Sequence, residues 1–437
     1  MKFRFYLSLF IAKIIYKILK ITKLSSGTAI IGLITLKICP DFLTFANNHI
    51  LKSQINITGT NGKTTSSGVL AHIIKKNNYS LFYNDIGANM LNGIVNALAL
   101  QIKPAKKADY SVIETDEAFL EKVYEKLNSD YLLVTNLFED QTDRFANPLF
   151  TKNLIQKAID KKPNIQLILN ADEPISASLK ALNKEPIYYG IENIYDENNN
   201  LIITENLNYE CPICKKQMNY SKTFYSQIGH YSCSCGYNRP LPKYSANIYL
   251  NKNNSIIKIN EEEFEIPLIG QFNAYNALSA IVLAKELGLI NIKDAIKDFK
   301  VAFGRCEKRI LNGNETIIQL IKNPVGTNEV LKTIDLNSNF LIALNNNAAD
   351  GTDVSWINQV EFERLSSSTK EFVVTGLKCD DMAIRLSNAG IKNIKKISDI
   401  NSALKYVGEN SHGKITILTT YTALLKIDKN KELKKCF

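Results

Sequence analysis

Three things are missing from this sequence, and each absence excludes a class of protein. No apolar run approaches the roughly 20 residues that span a bilayer. The nearest approach, MKFRFYLSLFIAKIIYKILKITK at the N-terminus, is interrupted by Lys13, Lys17 and Lys20, and the apolar stretch 24–36 is shorter and contains Gly27 and Gly32. No arginine-rich, aromatic-interleaved stripe accompanies the net charge of +10, so the basic excess points to an acidic partner such as a nucleotide, an anionic lipid or a phosphorylated substrate rather than to nucleic acid. The scattered cysteines Cys39, Cys306, Cys379 and Cys436 sit in no nucleophile elbow and have no partnering histidine, which leaves no glutaminase chemistry in this chain. What is present, 45% apolar and 22% charged residues, describes a soluble globular protein, and 437 residues are too many for one ordinary core.

The N-terminal segment reads as a basic amphipathic helix. Lys13, Lys17 and Lys20 recur at helical spacing on one face, with Phe10, Ile11, Ile14, Ile15, Ile18 and Leu19 opposite. Two readings stay open: a helix packed on the body of the protein, or reversible contact with the anionic inner face of a membrane. Both place the protein in the cytoplasm.

From residue 51 the chain alternates short apolar strands and helices, the pattern of a parallel sheet with crossovers. The first strand, QINIT, runs into Gly59-Thr60-Asn61-Gly62-Lys63-Thr64-Thr65. A glycine-turned loop between strand and helix is a phosphate cradle: backbone N–H groups face phosphate oxygens, Lys63 supplies a point charge, and the Thr64 hydroxyl can ligate Mg²⁺. Strands are expected at 55–57, 110–113, 131–135 and 167–169. The last three are followed by ETDE (114–117), TNLFEDQTDRF (135–145) and LNADEP (169–174). Ligands bind beyond the carboxyl ends of such strands, so all three clusters are expected to converge on the loop, although each can also serve as a helix cap. Glu114 can hold Mg²⁺ opposite Thr64, and Asn136, Asp140 and Asp143 are candidates for a second metal or the acceptor carboxylate.

Cys211, Cys214, Cys233 and Cys235 form CPIC and CSCG within one segment. CxxC followed by CxC suits a structural four-thiolate zinc site inserted at about 206–242, with paired disulfides as the alternative. His230 nearby reads as a surface or capping residue. Downstream, GQFNAYNALSAIVLAKELGL (270–289) is a turn into a helix. It is followed by AFGRCEKR (302–309), with a domain boundary just before it. A smaller α/β unit carries KNPVGTN (322–328), LIALNNNAADGTDVSW (341–356), VVTG (373–376) and ILTTYTALL (417–425). Asp350 in its AADG turn reads as an Asp-Gly turn that closes a loop.

The compact GTNGKT loop resembles that of the Mur ligase family, ATP-dependent enzymes that form amide bonds through acyl phosphates. The order of GTNGKT, a four-cysteine insertion, GQFNAYNA, KNPxGxN and NNAADGxDxSW is similar to that of the MurT group within it, the synthetase subunits of lipid II isoglutaminyl synthase, from about residue 25 to the end. Two positions depart from family patterns: Gln141 stands where amino-acid-adding Mur ligases usually carry histidine, and Glu139 where arginine is usual.

The resemblance implies an α/β protein with a Mur ligase-type central P-loop domain (51–300) and its zinc-ribbon insertion. A basic helical segment (1–50) precedes it, and a C-terminal α/β domain (301–437) follows. ATP would be bound by residues 59–65 with Asn273, Asn276 and Arg305; Asn273 and Asn276 can equally cap their helix. Lys63 and Glu114 would be catalytic, and Mg²⁺ would sit on Thr64 and Glu114. The acceptor would be the D-glutamate α-carboxylate of lipid II, amidated with ammonia from a separate GatD-like glutaminase subunit. The resemblance gives Asp350 a second reading, in which it orients that subunit's catalytic histidine. Two competing functions are an amino-acid-adding ligase of the Mur or folylpolyglutamate synthase kind, and a nucleotide switch whose ribbon binds nucleic acid.

Overall fold

The computed structural model describes residues 2–22, 28–84, 88–139, 147–204, 208–300 and 305–435, without the side chains of residues 28, 305, 306 and 435. The chain divides into two compact units, residues 1–137 with 148–300, and residues 138–147 with 301–437.

The first unit is built on a nine-stranded sheet. Its strands are β1 (Ile50–Thr58), β2 (Leu81–Tyr83), β3 (Ala108–Glu114), β4 (Tyr131–Val134), β5 (Gln166–Asn170) and β6 (Ile187–Tyr195), joined by three more after an insertion. The insertion contributes the antiparallel hairpin β7 (Asn219–Tyr225) and β8 (Ile228–Ser232). The sheet then resumes with β9 (Tyr244–Leu250), β10 (Ser255–Ile259) and β11 (Glu262–Ile266), in the order β11-β10-β9-β6-β5-β4-β1-β3-β2. β1 to β6 and β9 run parallel; β10 and β11 are antiparallel. Because helices cover a parallel sheet on both faces, β1 is buried continuously from Ser53 to Thr58 instead of alternating.

The helix Lys2–Thr22 packs within this unit through Phe5, Leu9 and Ala12, with Phe5 against Phe42 (ring centroids 5.1 Å apart) and His49 (5.5 Å). This corrects the apolar face expected from the lysine spacing. Phe10, Ile14 and Ile18 are exposed, Ile15 and Leu19 are partly buried, and Lys13 turns inward to donate to the Ile102 carbonyl at 2.7 Å. The helix has two apolar sides, and lysine spacing alone could not show which one the protein uses. Among the described residues no single helix is long and apolar enough to cross a membrane. A pair bent by 92°, Ala29–Ile38 and Phe42–His49, passes on length and composition only, and Ile31, Phe42, Leu43 and Ala46 are buried in the core.

The second unit contains β12 (Arg305–Leu311), β13 (Asn314–Leu320), β14 (Asn339–Ala343), β15 (Phe372–Thr375), β16 (Ile394–Lys396), β17 (Ile415–Thr419) and β18 (Leu433–Lys435) in the order β16-β15-β14-β17-β13-β12-β18. Its five-strand core from β16 to β13 is parallel, and Phe340 and Phe372 stack in register across β14 and β15 at 4.3 Å. KNPVGTN starts a helix, Pro324–Leu331: Asn323 caps it by accepting from the Gly326 N–H at 2.8 Å, and Pro324 occupies a first-turn position where no N–H is needed.

Candidate active site and metal centre

β1 lies between β3 and β4, with Ile57 opposite Glu114 and Thr58 opposite Val134. The loop after β1 therefore emerges between the loops after β3 and β4, at the carboxyl ends of all three strands, where an open α/β sheet binds its ligand. The sequence leaves little choice about this loop. At Gly59 (φ +125°) an added Cβ would stand 2.3 Å from Thr135 Oγ1, and at Gly62 (φ +89°) it would stand 1.9 Å from Asn276 Oδ1. Both positions need the left-handed freedom of glycine and its missing side chain. Gly62→Ala is expected to lower nucleotide affinity at least tenfold while the melting temperature moves by only a few degrees; unchanged titration-calorimetry affinity would refute this role.

The β4 side clamps the loop. Asn136 accepts from the Asn61 N–H at 2.9 Å and donates to the Asn61 carbonyl at 3.0 Å, the Thr135 hydroxyl donates to that carbonyl at 2.7 Å, and the Thr60 N–H donates to the Asn136 carbonyl at 2.8 Å. Asn136 thus positions the loop, whereas Asp140, Gln141, Asp143 and Arg144 lie outside the described residues.

The β3 side supplies charge. Lys63, the first residue of the helix Lys63–Lys76, reaches Glu117 Oε1 at 2.8 Å and donates to the Gly59 carbonyl, almost wholly buried. Burial opposes its charge, but Glu117, Asp116 and Glu114 outweigh it and hold the ammonium above the ordinary lysine range. For Glu117 burial is the larger influence and, with Asp116 alongside, pushes its carboxyl up despite Lys63. Among the described residues, Glu114, Asp116 and Glu117 are all buried around one ammonium, so the pocket has more acid than base. Glu114 Oε1 accepts from Asn89 at 3.1 Å, while Oε2 is buried with no hydrogen-bond partner among the described residues. A buried carboxylate oxygen without a hydrogen-bond partner among the described residues, in an acid-rich pocket beside the glycine-turned loop, fits a cation held by hard oxygen ligands. Thr64 is half-buried and Thr65 buried in the same first helical turn.

Asn276 lies against the loop from the helix Gln271–Glu286: its carbonyl accepts from Ser66 Oγ at 3.0 Å, and Ser279 donates to Ser66 at 3.0 Å. Asn273 instead donates to the Ile269 carbonyl at 2.8 Å, closing the turn that starts the helix. Arg305 begins β12, and its side chain lies outside the described residues. Glu117 and Asn89 were not assigned roles by sequence reasoning. For Glu117 a signal existed, since ETDE places a second carboxylate near the end of β3.

The third acidic cluster does not converge on the loop. β5 is two strands from β1, roughly 10 Å away, and its carboxylates are taken up by β6, the insertion, their own turn and the helix carrying Asn276. Asp172 accepts from Arg239 at 2.6 Å, the Ile191 N–H at 2.7 Å and Tyr275 at 2.8 Å. Glu173 accepts from the Ser176 N–H at 2.8 Å, and Gln227 donates to the Leu137 carbonyl at 2.8 Å. LNADEP thus fastens the β7–β8 hairpin to the sheet and to the helix carrying Asn276.

At the far side of that hairpin, Cys211, Cys214, Cys233 and Cys235 bring their sulfurs within 4.8 Å of one another, with 3.8 Å between Cys211 and Cys235 and 3.5 Å between Cys214 and Cys233. Four sulfurs about 2.3 Å from a central ion would lie about 3.8 Å apart, whereas a disulfide needs about 2.05 Å, so the donor set fits a tetrahedral metal. A backbone hydrogen bond from Cys235 draws the Cys233 thiol down to about 7, while burial pushes Cys211 up. Gly236 (φ +88°) makes the second knuckle, and Met218, Tyr220 and Tyr231 form a small core beneath it. His230 points elsewhere, its Nε2 2.8 Å from the Ile191 carbonyl.

In the second unit Asp350 is buried at the carboxyl end of the β14–β17 pair. Its Oδ1 accepts from the Thr422 N–H at 2.7 Å, and its Oδ2 accepts from the Thr422 hydroxyl and from the Asn347 N–H at 3.1 Å. Asn345 and Asn347 also donate to Thr422 Oγ1, at 3.0 and 2.7 Å. Sequence reasoning missed Thr422, whose pairing depends on β14 and β17 being neighbours.

A parallel sheet ending in a compact phosphate loop, joined by a second α/β unit, defines a Mur ligase-type protein. The Mur ligase middle domain matches residues 57–284, and the MurT ligase C-terminal domain matches residues 320–424. Among solved structures, a pseudomurein peptide ligase type C from Methanothermus fervidus shares this fold with a TM-score of 0.67 at 22% identity, over 86% of this chain and 79% of its own. The lipid II isoglutaminyl synthase (glutamine-hydrolyzing) subunit MurT of Staphylococcus aureus (strain COL) is 35% identical over 84% of both chains. That of Streptococcus pneumoniae (strain ATCC BAA-255 / R6) is 31% identical over 93% of this chain and 92% of its own. The chain belongs to the MurT family.

Proposed function

We propose that this protein is the ATP-dependent synthetase subunit that converts the D-glutamate α-carboxylate of the lipid II stem peptide to D-isoglutamine, with ammonia from a GatD-like glutaminase subunit. Membership of the MurT family supports the substrate and the partner. The observation that carries the chemistry is the buried Lys63 ammonium on the phosphate loop, beside an acid-rich pocket in which one Glu114 oxygen has no hydrogen-bond partner among the described residues.

A carboxylate is a poor electrophile, so amide formation needs activation. An acceptor oxygen attacks the γ-phosphorus of ATP, the bond to the β-phosphate oxygen breaks, and ADP leaves. Ammonia then attacks the acyl carbon, phosphate leaves with the electron pair, and the nitrogen loses a proton to give the neutral amide. Residues 59–65 hold the triphosphate through backbone N–H groups, and Lys63 stabilises charge on the transferring phosphoryl group. Asn276 keeps the loop in shape, and Arg305 is a further candidate to contribute charge to phosphate binding. Thr64 and Glu114 would hold Mg²⁺, which would neutralise phosphate charge. Cys211, Cys214, Cys233 and Cys235 would hold a structural Zn²⁺.

Co-expression with a glutaminase, followed by mass spectrometry of lipid II after incubation with ATP and either glutamine or ammonia, tests this reading. Amidation by this chain with ammonia alone is the expected result; addition of an amino acid instead would assign it to the residue-adding ligases. Asp350 is proposed to orient the glutaminase histidine, its carboxylate preset by Thr422 and Asn347. Asp350→Asn should then lower glutamine-dependent amidation at least a hundredfold and leave ammonia-dependent amidation intact. Equal loss with both nitrogen sources would assign Asp350 to the turn alone.

A further inference from the structure

The helix Lys2–Thr22 has a second apolar face that the fold leaves uncovered. Phe3, Leu7, Phe10, Ile14, Ile18 and Ile21 follow one another at steps of three or four residues, which puts them in one stripe along the helix. All six are exposed, Phe3 to 75%, Phe10 to 64% and Ile21 to 80%. Phe5, Leu9 and Ala12 already pack the helix onto the body, so the stripe is not a core face lacking a lid. Monomeric soluble proteins seldom line up exposed apolar side chains this way without a partner for them.

The charges beside the stripe say what kind of partner. The first 40 residues contain seven Lys and Arg and no Asp or Glu, and Lys2, Lys17 and Lys20 are exposed next to the apolar row. A second copy of the same face would set basic residues against basic residues. A negatively charged bilayer surface meets both needs: the apolar row enters the boundary between headgroups and acyl chains, and the lysines face lipid phosphates.

We propose that this helix is a surface anchor that lies flat on an anionic membrane, with Phe3, Leu7, Phe10, Ile14, Ile18 and Ile21 inserted and Lys17 and Lys20 at the headgroups. Because the opposite face is packed on the protein, the helix lies in the membrane plane and does not cross it. The second helix, Thr28–Ile38, adds exposed Ile30 and Leu33 with Lys37.

Co-sedimentation of the full chain with vesicles tests the anchor. The protein should pellet with phosphatidylglycerol-rich vesicles, pellet far less with pure phosphatidylcholine, and be released as salt shortens the Debye length below about 10 Å. Phe10→Glu with Ile14→Glu, and separately Lys17→Glu with Lys20→Glu, should each lower partitioning about tenfold or more, with thermal unfolding unchanged because these side chains leave the packed face free. Undiminished partitioning of the Phe10/Ile14 variant would overturn the proposal. So would failure of the wild-type chain to bind anionic vesicles, or a solution dimer that this variant converts to monomer. Vesicle binding requires neither ATP nor acceptor, so its failure would leave the ligase reading standing, and failure of amidation would leave the anchor standing.

Discussion

Lys63→Met should reduce amidation with either nitrogen source by a factor on the order of 10²–10³ or more, the loss that follows removal of one strong electrostatic contact to a developing charge in a water-poor site. The same substitution should make stability depend on pH. Lys63 is the ammonium paired with Glu117, and Glu114 and Asp116 add to the field around it. Without it the pocket keeps its buried carboxylates and loses their counter-charge, so Glu117 is pushed further toward the neutral form. Glu117 already has its carboxyl raised by burial. A carboxyl whose folded pKa exceeds its unfolded value contributes stability that is fully present below the unfolded pKa, about 4.3, and is lost as pH rises through the folded pKa. The variant should therefore melt at a higher temperature near pH 5 than near pH 8, with a larger difference than the wild type shows. Calorimetric melting across that range checks it; a flat difference between the two proteins would mean that Lys63 does not balance this pocket. Retained amidation would remove Lys63 from the chemistry altogether.

Removing the zinc proposed for the four-cysteine site is expected to act well beyond the insertion. Structural zinc sites of this kind bind with roughly 10 to 16 kcal/mol, most of which is folding free energy for a small segment with a few tyrosines and a methionine as its core. The β7–β8 hairpin holds Asp172 through the Gly229 N–H, Arg239 just past the second cysteine pair also holds it, and Asp172 holds Tyr275 on the helix that sets Asn276 against Gly62. Gln271 on that helix donates to the Phe224 carbonyl of β7 at 3.2 Å. Cys214→Ser, or chelation of the wild type, should lower the melting temperature and weaken nucleotide binding severalfold although no cysteine touches the loop. Metal analysis should give one zinc per chain in the wild type and less in the variant. Unchanged nucleotide affinity in a zinc-depleted, folded protein would confine the metal to the insertion.

Local chemistry was the legible part of this site. GTNGKT declares a strand, a tight turn and a helix start within a few residues, and only glycine supplies the positive φ found at Gly59 and Gly62. CPIC and CSCG declare their donors in the same way, because each pair sits on its own knuckle. The acidic cluster after β3 was read from its position behind a strand, and β1 and β3 do pair. LNADEP stood in the same kind of position, yet its carboxylates hold the insertion. Nothing local distinguishes the two clusters; the strand order does, because β3 adjoins β1 and β5 does not.

By itself the sequence determined the glycine-turned loop after the first strand, the two cysteine pairs and the alternation of strands and helices, since each depends on residues close together in the chain. Tertiary structure decided which carboxylates surround Lys63, that Asn136 clamps the loop, that Asp350 rests on Thr422, and which apolar side of the N-terminal helix remains exposed. Those outcomes depend on sheet order and packing between segments far apart in the chain. A local pattern that suits two surfaces equally well, such as the two apolar faces of Lys2–Thr22, carries no information about which one the rest of the protein will cover.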